Sequence, residues 1–119
     1  MRLTIGTLLV LILTVASSLA DPAGTYRVSG TNPGSGSTYT GAVTVERNGE
    51  TFLVTWTIAG GRQIGVGIGK DDLLAVSYRS GNAIGIALYL PDQTGGWKGI
   101  WAPIGSQTLG TEIWTRGGQ

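Results

Sequence analysis

Between Tyr39 and Ile58 the chain alternates strictly about a central Asn48-Gly49. Tyr39, Gly41, Val43 and Val45 share one face before it, and Phe52, Val54, Trp56 and Ile58 share one after it. Thr40, Ala42, Thr44 and Glu46, with Thr51, Leu53, Thr55 and Thr57, make a mostly polar opposite face. A period of two is the signature of half-buried strands. Asn-Gly suits the two positive-φ positions of a type I′ turn, so the pattern predicts a hairpin with a two-residue loop at Asn48-Gly49. That loop pairs Arg47 with Glu50, Val45 with Phe52, Val43 with Val54, Gly41 with Trp56 and Tyr39 with Ile58. A slip of one residue would turn the whole apolar set to water, and Gly41 leaves room for the Trp56 ring.

The same reading extends along the chain. Tyr26 and Val28 alternate in a first strand, followed by a Gly/Ser loop over 30–37. In 63–69 one face carries Ile64, Val66 and Ile68, and the other only Gly65, Gly67 and Gly69. After the turn Lys70-Asp71-Asp72, Leu74, Val76 and Tyr78 align in 73–78. The run 83–90 is apolar on both faces and should be covered on both sides; strands over 97–102 and 109–115 complete the set. No window carries apolar residues at helical spacing. Eight short strands joined by brief turns predict an all-β domain, a small antiparallel eight-stranded up-and-down barrel, with a β-sandwich as the alternative. Closure removes exposed edges, and inward glycines at 41, 65, 67, 85 and 99 supply bends. The strands, at about six to nine residues, are shorter than the ~9–11 of a transmembrane barrel.

Ahead of this domain, Met1-Arg2, an apolar run over 3–15 and Ser18-Leu19-Ala20 form a signal-peptide pattern. The expected organisation is a cleaved signal over 1–20 and one barrel-like domain over 21–119, secreted or periplasmic. The apolar run is too short to span a bilayer, so no stable membrane insertion is expected after cleavage. The chain has no cysteine and no histidine. Those absences exclude thiolate and imidazole nucleophiles, their zinc sites and CxxC redox chemistry. A formal net charge of +1, one unit of it on Arg2, leaves no basic field for nucleic acid.

What chemistry remains rests on aromatics and carboxylates. Trp97, Trp101 and Trp114, with Tyr39, Tyr78 and Tyr89, fill a core or present rings to a ligand. Trp97 and Trp101 fall on one face on either side of Gly99. Glu46, Glu50, Asp71, Asp72 and Asp92 occupy turns or loops where solvated carboxylates are ordinary. Glu112 differs, because it lies inside a strand on the face of Trp114. Burial there calls for a partner such as an arginine in an ion pair, or else marks a carboxylate that binds a ligand. The candidate ligand-binding set is therefore Trp97, Trp101, Glu112 and Trp114. No catalytic residue, metal ligand or cofactor site is predicted, and the protein is expected not to be an enzyme. Gly65-x-Gly67-x-Gly69 lies in a strand and opens no helix, so it lacks the basis of a phosphate-binding loop.

Taken in order, Tyr26-x-Val28-x-Gly30-x-Asn32-Pro33, Tyr39-x-Gly41-x-Val43, Val54-x-Trp56, Gly65-x-Gly67, Leu74-Ala75-Val76-x-Tyr78, Trp97-x-Gly99-x-Trp101 and Gly110-Thr111-Glu112 span nearly all of the domain. The series resembles a group of small secreted bacterial proteins of unknown activity, some labelled fibronectin-binding, with Ile113-Trp114 a more aromatic ending than is usual in the group. The resemblance implies an exported binding protein; joined to the signal pattern and the lack of catalytic side chains, it leads to the expectation of a non-enzymatic module for a host or extracellular-matrix protein such as fibronectin, with a glycan as the other partner class. The alternative from the strand pattern is a small barrel that carries a hydrophobic or aromatic ligand, avidin-like or lipocalin-like in architecture.

Overall fold

The structure, a computed structural model, describes residues 20–117. The expected signal segment lies, but for Ala20, outside the described residues. Eight strands follow in order: β1 (Gly24–Thr31), β2 (Thr38–Asn48), β3 (Thr51–Ile58), β4 (Gly61–Gly69), β5 (Leu74–Ser80), β6 (Ala83–Pro91), β7 (Trp97–Pro103) and β8 (Gly110–Arg116). Each pairs antiparallel with the next, and β8 returns to β1 to close the barrel. It is an all-β, eight-stranded, up-and-down barrel, with no helix among the described residues. Every described strand is paired on both sides, so none offers a free edge.

Alternation sorts the side chains as a two-faced sheet requires. Tyr26, Val28, Val43, Val45, Phe52, Val54, Trp56, Leu74, Val76, Ala87, Tyr89, Trp97 and Trp114 form the buried interior. Gly65, Gly67 and Gly85 also point inward and are buried, so bare backbone makes room for rings in so narrow a barrel. The outside is divided. On β1 and β2 it carries mainly threonine, serine and charge, whereas Ile64, Val66, Ile68, Ile84, Ile86, Leu88 and Leu90 stand exposed on β4 and β6. The expectation that 83–90 is covered on both sides is therefore not met: within one chain the barrel covers only the inner face of β6.

The first hairpin is shifted by two residues from the sequence expectation. Asn48 pairs with Thr51, Arg47 with Phe52, Val45 with Val54, Val43 with Trp56 and Gly41 with Ile58, so the loop is Gly49-Glu50. Only Gly49 of that pair is at positive φ, +65°, as in a type II′ turn, which wants glycine first. A shift of two preserves both faces, which is why the interior was assigned correctly from a wrong register. Trp56 consequently lies against Gly65, where an added Cβ would come 3.2 Å from its ring, and not against Gly41.

The two ends differ. At one end Asp21 to Ala23 cross the opening: Pro22 is buried and its carbonyl accepts the Tyr26 hydroxyl at 2.6 Å. The Arg116 guanidinium lies 4.6 Å from the Tyr26 ring centroid and donates to the Ala23 and Asp21 carbonyls at 2.9 and 3.2 Å. The loop 92–96 sits at this end, where the Asp92 carboxylate accepts from the Thr94 hydroxyl and amide and the Gly96 amide at 2.7–2.9 Å. The Thr94 donors hold the Asp92 carboxyl below its usual range. The other end is ringed by 32–37, 59–60, 81–82 and 104–109, and among the described residues it has no such strap.

The β4–β5 turn is strained. Asp71 and Asp72, both non-glycine, sit at φ +53° and +64°, closed by reciprocal Lys70–Leu73 backbone hydrogen bonds of 2.9 and 3.0 Å. Asp71→Asn combined with Asp72→Gly supplies the residues a type I′ turn favours. The double variant should be more stable by about 1 kcal/mol, read as a higher Tm or denaturation midpoint.

Candidate functional site

A single transverse row across five strands organises the interior. Reading around the barrel, Tyr39 (β2) pairs with Gly30 (β1), Gly30 with Glu112 (β8), Glu112 with Gly99 (β7), and Gly99 with Tyr89 (β6). Glu112 thus has a glycine on each neighbouring strand and a tyrosine one strand further out. Both rings lie across the bare glycines: a Cβ on Gly30 would collide with the Tyr39 hydroxyl end, and one on Gly99 with the Tyr89 ring. Glycine here serves close approach, because any side chain would block the path of the tyrosine to the carboxylate.

The hydroxyls meet at Glu112. Tyr39 donates to Oε2 at 2.5 Å and Tyr89 to Oε1 at 2.7 Å. Two indoles complete the set: Trp114 Nε1 donates to Oε1 at 2.9 Å and Trp56 Nε1 at 3.2 Å. Glu112 is 5% exposed, so removal from water must be offset by these bonds, each contributing about 1.5–3 kcal/mol when the acceptor is a carboxylate. The expected arginine partner is absent: among the described residues the ion pairs join only Arg47 with Asp21 and Lys70 with Asp71. Four neutral donors, aimed by ring packing, take the place of a counter-charge. The tyrosines respond in kind. Burial, then the adjacent carboxylate, push the Tyr39, Tyr78 and Tyr89 hydroxyls above their ordinary range, Tyr39 and Tyr89 most strongly. Burial also raises Tyr26 against the opposing effect of Arg116.

Between this row and the unstrapped end lies a cavity of about 380 Å³. Glu112 and Tyr89 contribute to its floor; Tyr39, Trp56, Tyr78 and Trp101 wall it, with Gln63 beside them. The walls repeat the ring-over-glycine arrangement, since Tyr78 pairs with Gly85 and Trp101 with Gly110. Successive rings stand at 65–74° with centroids 6.0–6.2 Å apart, from Trp56 to Tyr78 to Trp101 to Tyr39. They meet edge to face, as the sides of a box. Two buried polar atoms lack a partner, Gln63 Oε1 and the Tyr78 hydroxyl, and both residues line the cavity.

Of the four residues singled out from sequence, Trp101 and Glu112 line the cavity. Trp114 and Trp97 are cross-strand neighbours buried beneath it; Trp114 supports Glu112 through its indole, and neither ring reaches the cavity. Tyr39, Tyr78 and Tyr89 are legible in the sequence as rings of a core or of a ligand site without being singled out, Trp56 as a packing aromatic, and Gln63 gives no signal at all. The signal that would have found the tyrosines is the glycine directly across from each one, which becomes visible once the register is known. No protein-family model matches the chain, and no curated protein matches it.

All four tyrosines of the chain have raised pKa values, which sets a pH dependence. In the unfolded chain tyrosine ionises near its ordinary value of 10.0, whereas the folded protein holds the proton to higher pH. Folded-state stability is therefore undiminished below about pH 10 and falls as pH rises above it, because the unfolded state loses protons first. Absorbance titration should show little tyrosinate at pH 10 in the native protein, and then ionisation together with unfolding at higher pH. A native titration with ordinary midpoints contradicts the arrangement.

Proposed function

We propose that the protein is an exported, non-enzymatic barrel that binds a small molecule with a compact apolar or aromatic body at its open end. One observation carries this reading: a cavity of about 380 Å³ walled by four rings, with a buried carboxylate below and two unpartnered polar atoms beside it. Small-ligand sites have this character, an apolar lining with a few placed polar groups. Binding is favoured over catalysis because Glu112 is the single carboxylate among the lining residues, so the paired acids of glycoside hydrolysis are not assembled there. The matrix-protein partner implied by the family resemblance would have to engage loops or the outer surface, since closure leaves no strand edge to extend. The cavity gives the small-ligand reading its precedence.

Ala83 lines the mouth and is itself exposed, which makes it a place to block entry without touching the core. Tryptophan fluorescence titrated with a panel of compact neutral, cationic and anionic aromatic compounds should show saturable quenching by at least one of them. Ala83→Trp should abolish that response and leave the thermal unfolding midpoint nearly unchanged. Absence of a saturable response across the panel, or undiminished binding in Ala83→Trp, contradicts the reading.

A further inference from the structure

Resting on the small-ligand reading, we infer that the ligand is a small organic cation: a primary or secondary ammonium group on a compact apolar or aromatic body. The cavity's polar atoms are unbalanced. Glu112 brings two acceptor oxygens and no counter-cation, Gln63 Oε1 is an acceptor with no donor, and the Tyr78 hydroxyl has both capacities unspent. On Glu112 the crowding is uneven, with three donors on Oε1 and one on Oε2, so Oε2 retains acceptor capacity. A ligand that satisfies this set must be rich in donors. The walls favour positive charge as well, since ring faces attract cations and a box of tyrosines and tryptophans is the usual cage for alkylammonium groups. The arginines of the adjoining strands do not compete. Arg62 and Arg79, near the mouth, fall on the outward face of β4 and β5, in register with Thr57 and Ile64.

Calorimetric titration of the purified protein at neutral pH with benzylamine, benzyl alcohol and benzoate separates the cases, because the three share a ring and differ in charge. Benzylammonium should bind at least about tenfold more tightly than benzyl alcohol, and benzoate should not bind. Glu112→Gln should erase the preference. Gln63→Met, which leaves the four bonds to Glu112 intact, should reduce it and so tests the claim even if the first variant fails to fold. Equal or tighter binding of the alcohol, or binding of benzoate, overturns the cation inference and leaves the small-ligand reading in place; no binding by any of the three, with no response from the wider panel, overturns both.

A different observation, on the outer surface, carries a second proposal: the apolar side of the barrel is the interface of a two-fold dimer of this chain. Ile64, Val66, Ile68, Ile84, Ile86, Leu88, Leu90 and Ile100, on β4, β6 and β7, are each 41–68% exposed. Together they present on the order of 800 Å², what one partner contributes to a standard interface and more than the usual largest patch of a monomer. The relief of the patch is self-complementary. Across the register, Val66-Ser77-Ile86-Ala102 alternates large and small, and Ile68-Ala75-Leu88 does the same before Ile100 extends the ridge. A trough floored by Ala75 and Ser77 therefore runs between ridges on β4 and β6, and a second copy turned by a two-fold axis seats a ridge in it. A lipid occupant fits less well, because Arg27, Ser29, Thr40, Thr44, Thr55 and Thr57 make the outside of β1–β3 polar.

Sedimentation equilibrium should give twice the chain mass. Ile86→Glu, at a side chain 68% exposed, should give the single-chain mass with an unchanged circular dichroism spectrum. A monomeric wild type overturns the proposal, as does a dimer that survives Ile86→Glu. Flotation of the wild type with phosphatidylcholine vesicles, lost in Ile86→Glu, assigns the face to lipid and overturns it too.

Discussion

A carboxylate inside an apolar barrel is tolerated only if hydrogen-bond donors offset its removal from water, and the remainder of this fold is arranged around that demand. Glu112 is answered by two phenols and two indoles, with no arginine. Neutral donors of this kind are rigid and large, so they double as core: Trp114 and Tyr89 are among the most deeply buried side chains of the molecule. The polar network and the hydrophobic packing are therefore made of the same atoms, and each ring's orientation is specified twice, by contact and by hydrogen bond. Glycine is the complement. Gly30 and Gly99 flank Glu112 on both neighbouring strands, and bulk at either position would separate the carboxylate from its tyrosine.

The asymmetry of the two ends follows from the same economy of space. Toward the strapped end, Tyr26, Trp97, Trp114 and Leu74 fill the lumen, and Pro22 and Arg116 seal it. Toward the other end the lumen widens because glycines at 65, 85 and 110 oppose the rings of Trp56, Tyr78 and Trp101, and no segment among the described residues crosses the opening. The Glu112 network forms the boundary between a filled half and a hollow half. The two buried side-chain atoms without a partner among the described residues, Gln63 Oε1 and the Tyr78 hydroxyl, both belong to the hollow half.

Much of this was legible in the sequence, for physical reasons that can be named. Period-two alternation about Asn48-Gly49 identified the inward set, and eight strand-turn units with inward glycines pointed to closure. The hairpin register was misplaced by two because Gly49 serves as the first central residue of a type II′ turn rather than the second of a type I′ turn. The chemistry of Glu112 was half visible: its burial was anticipated from strand alternation, but its partners were not. Tyr39, Tyr89 and Trp56 lie 73, 23 and 56 positions away in sequence, and only the β8–β1 closure brings Gly30 beside it, across from the Gly99 that β7 supplies. Such non-local pairing leaves no local pattern. The exposed side of β6 departs from the expectation of two-sided cover, because a single-layered barrel of the described residues covers only its inner face.

The fold depends on the four donors at Glu112, and the indole N–H groups report on two of them individually. In ¹⁵N-labelled protein, the Nε1–H resonances of Trp56 and Trp114 should be strongly protected from hydrogen exchange, and both should move when Glu112 is replaced by glutamine. Rapid exchange of these two protons in the native protein, or resonances that ignore the Glu112→Gln change, would mean that the carboxylate is not where the fold requires it to be.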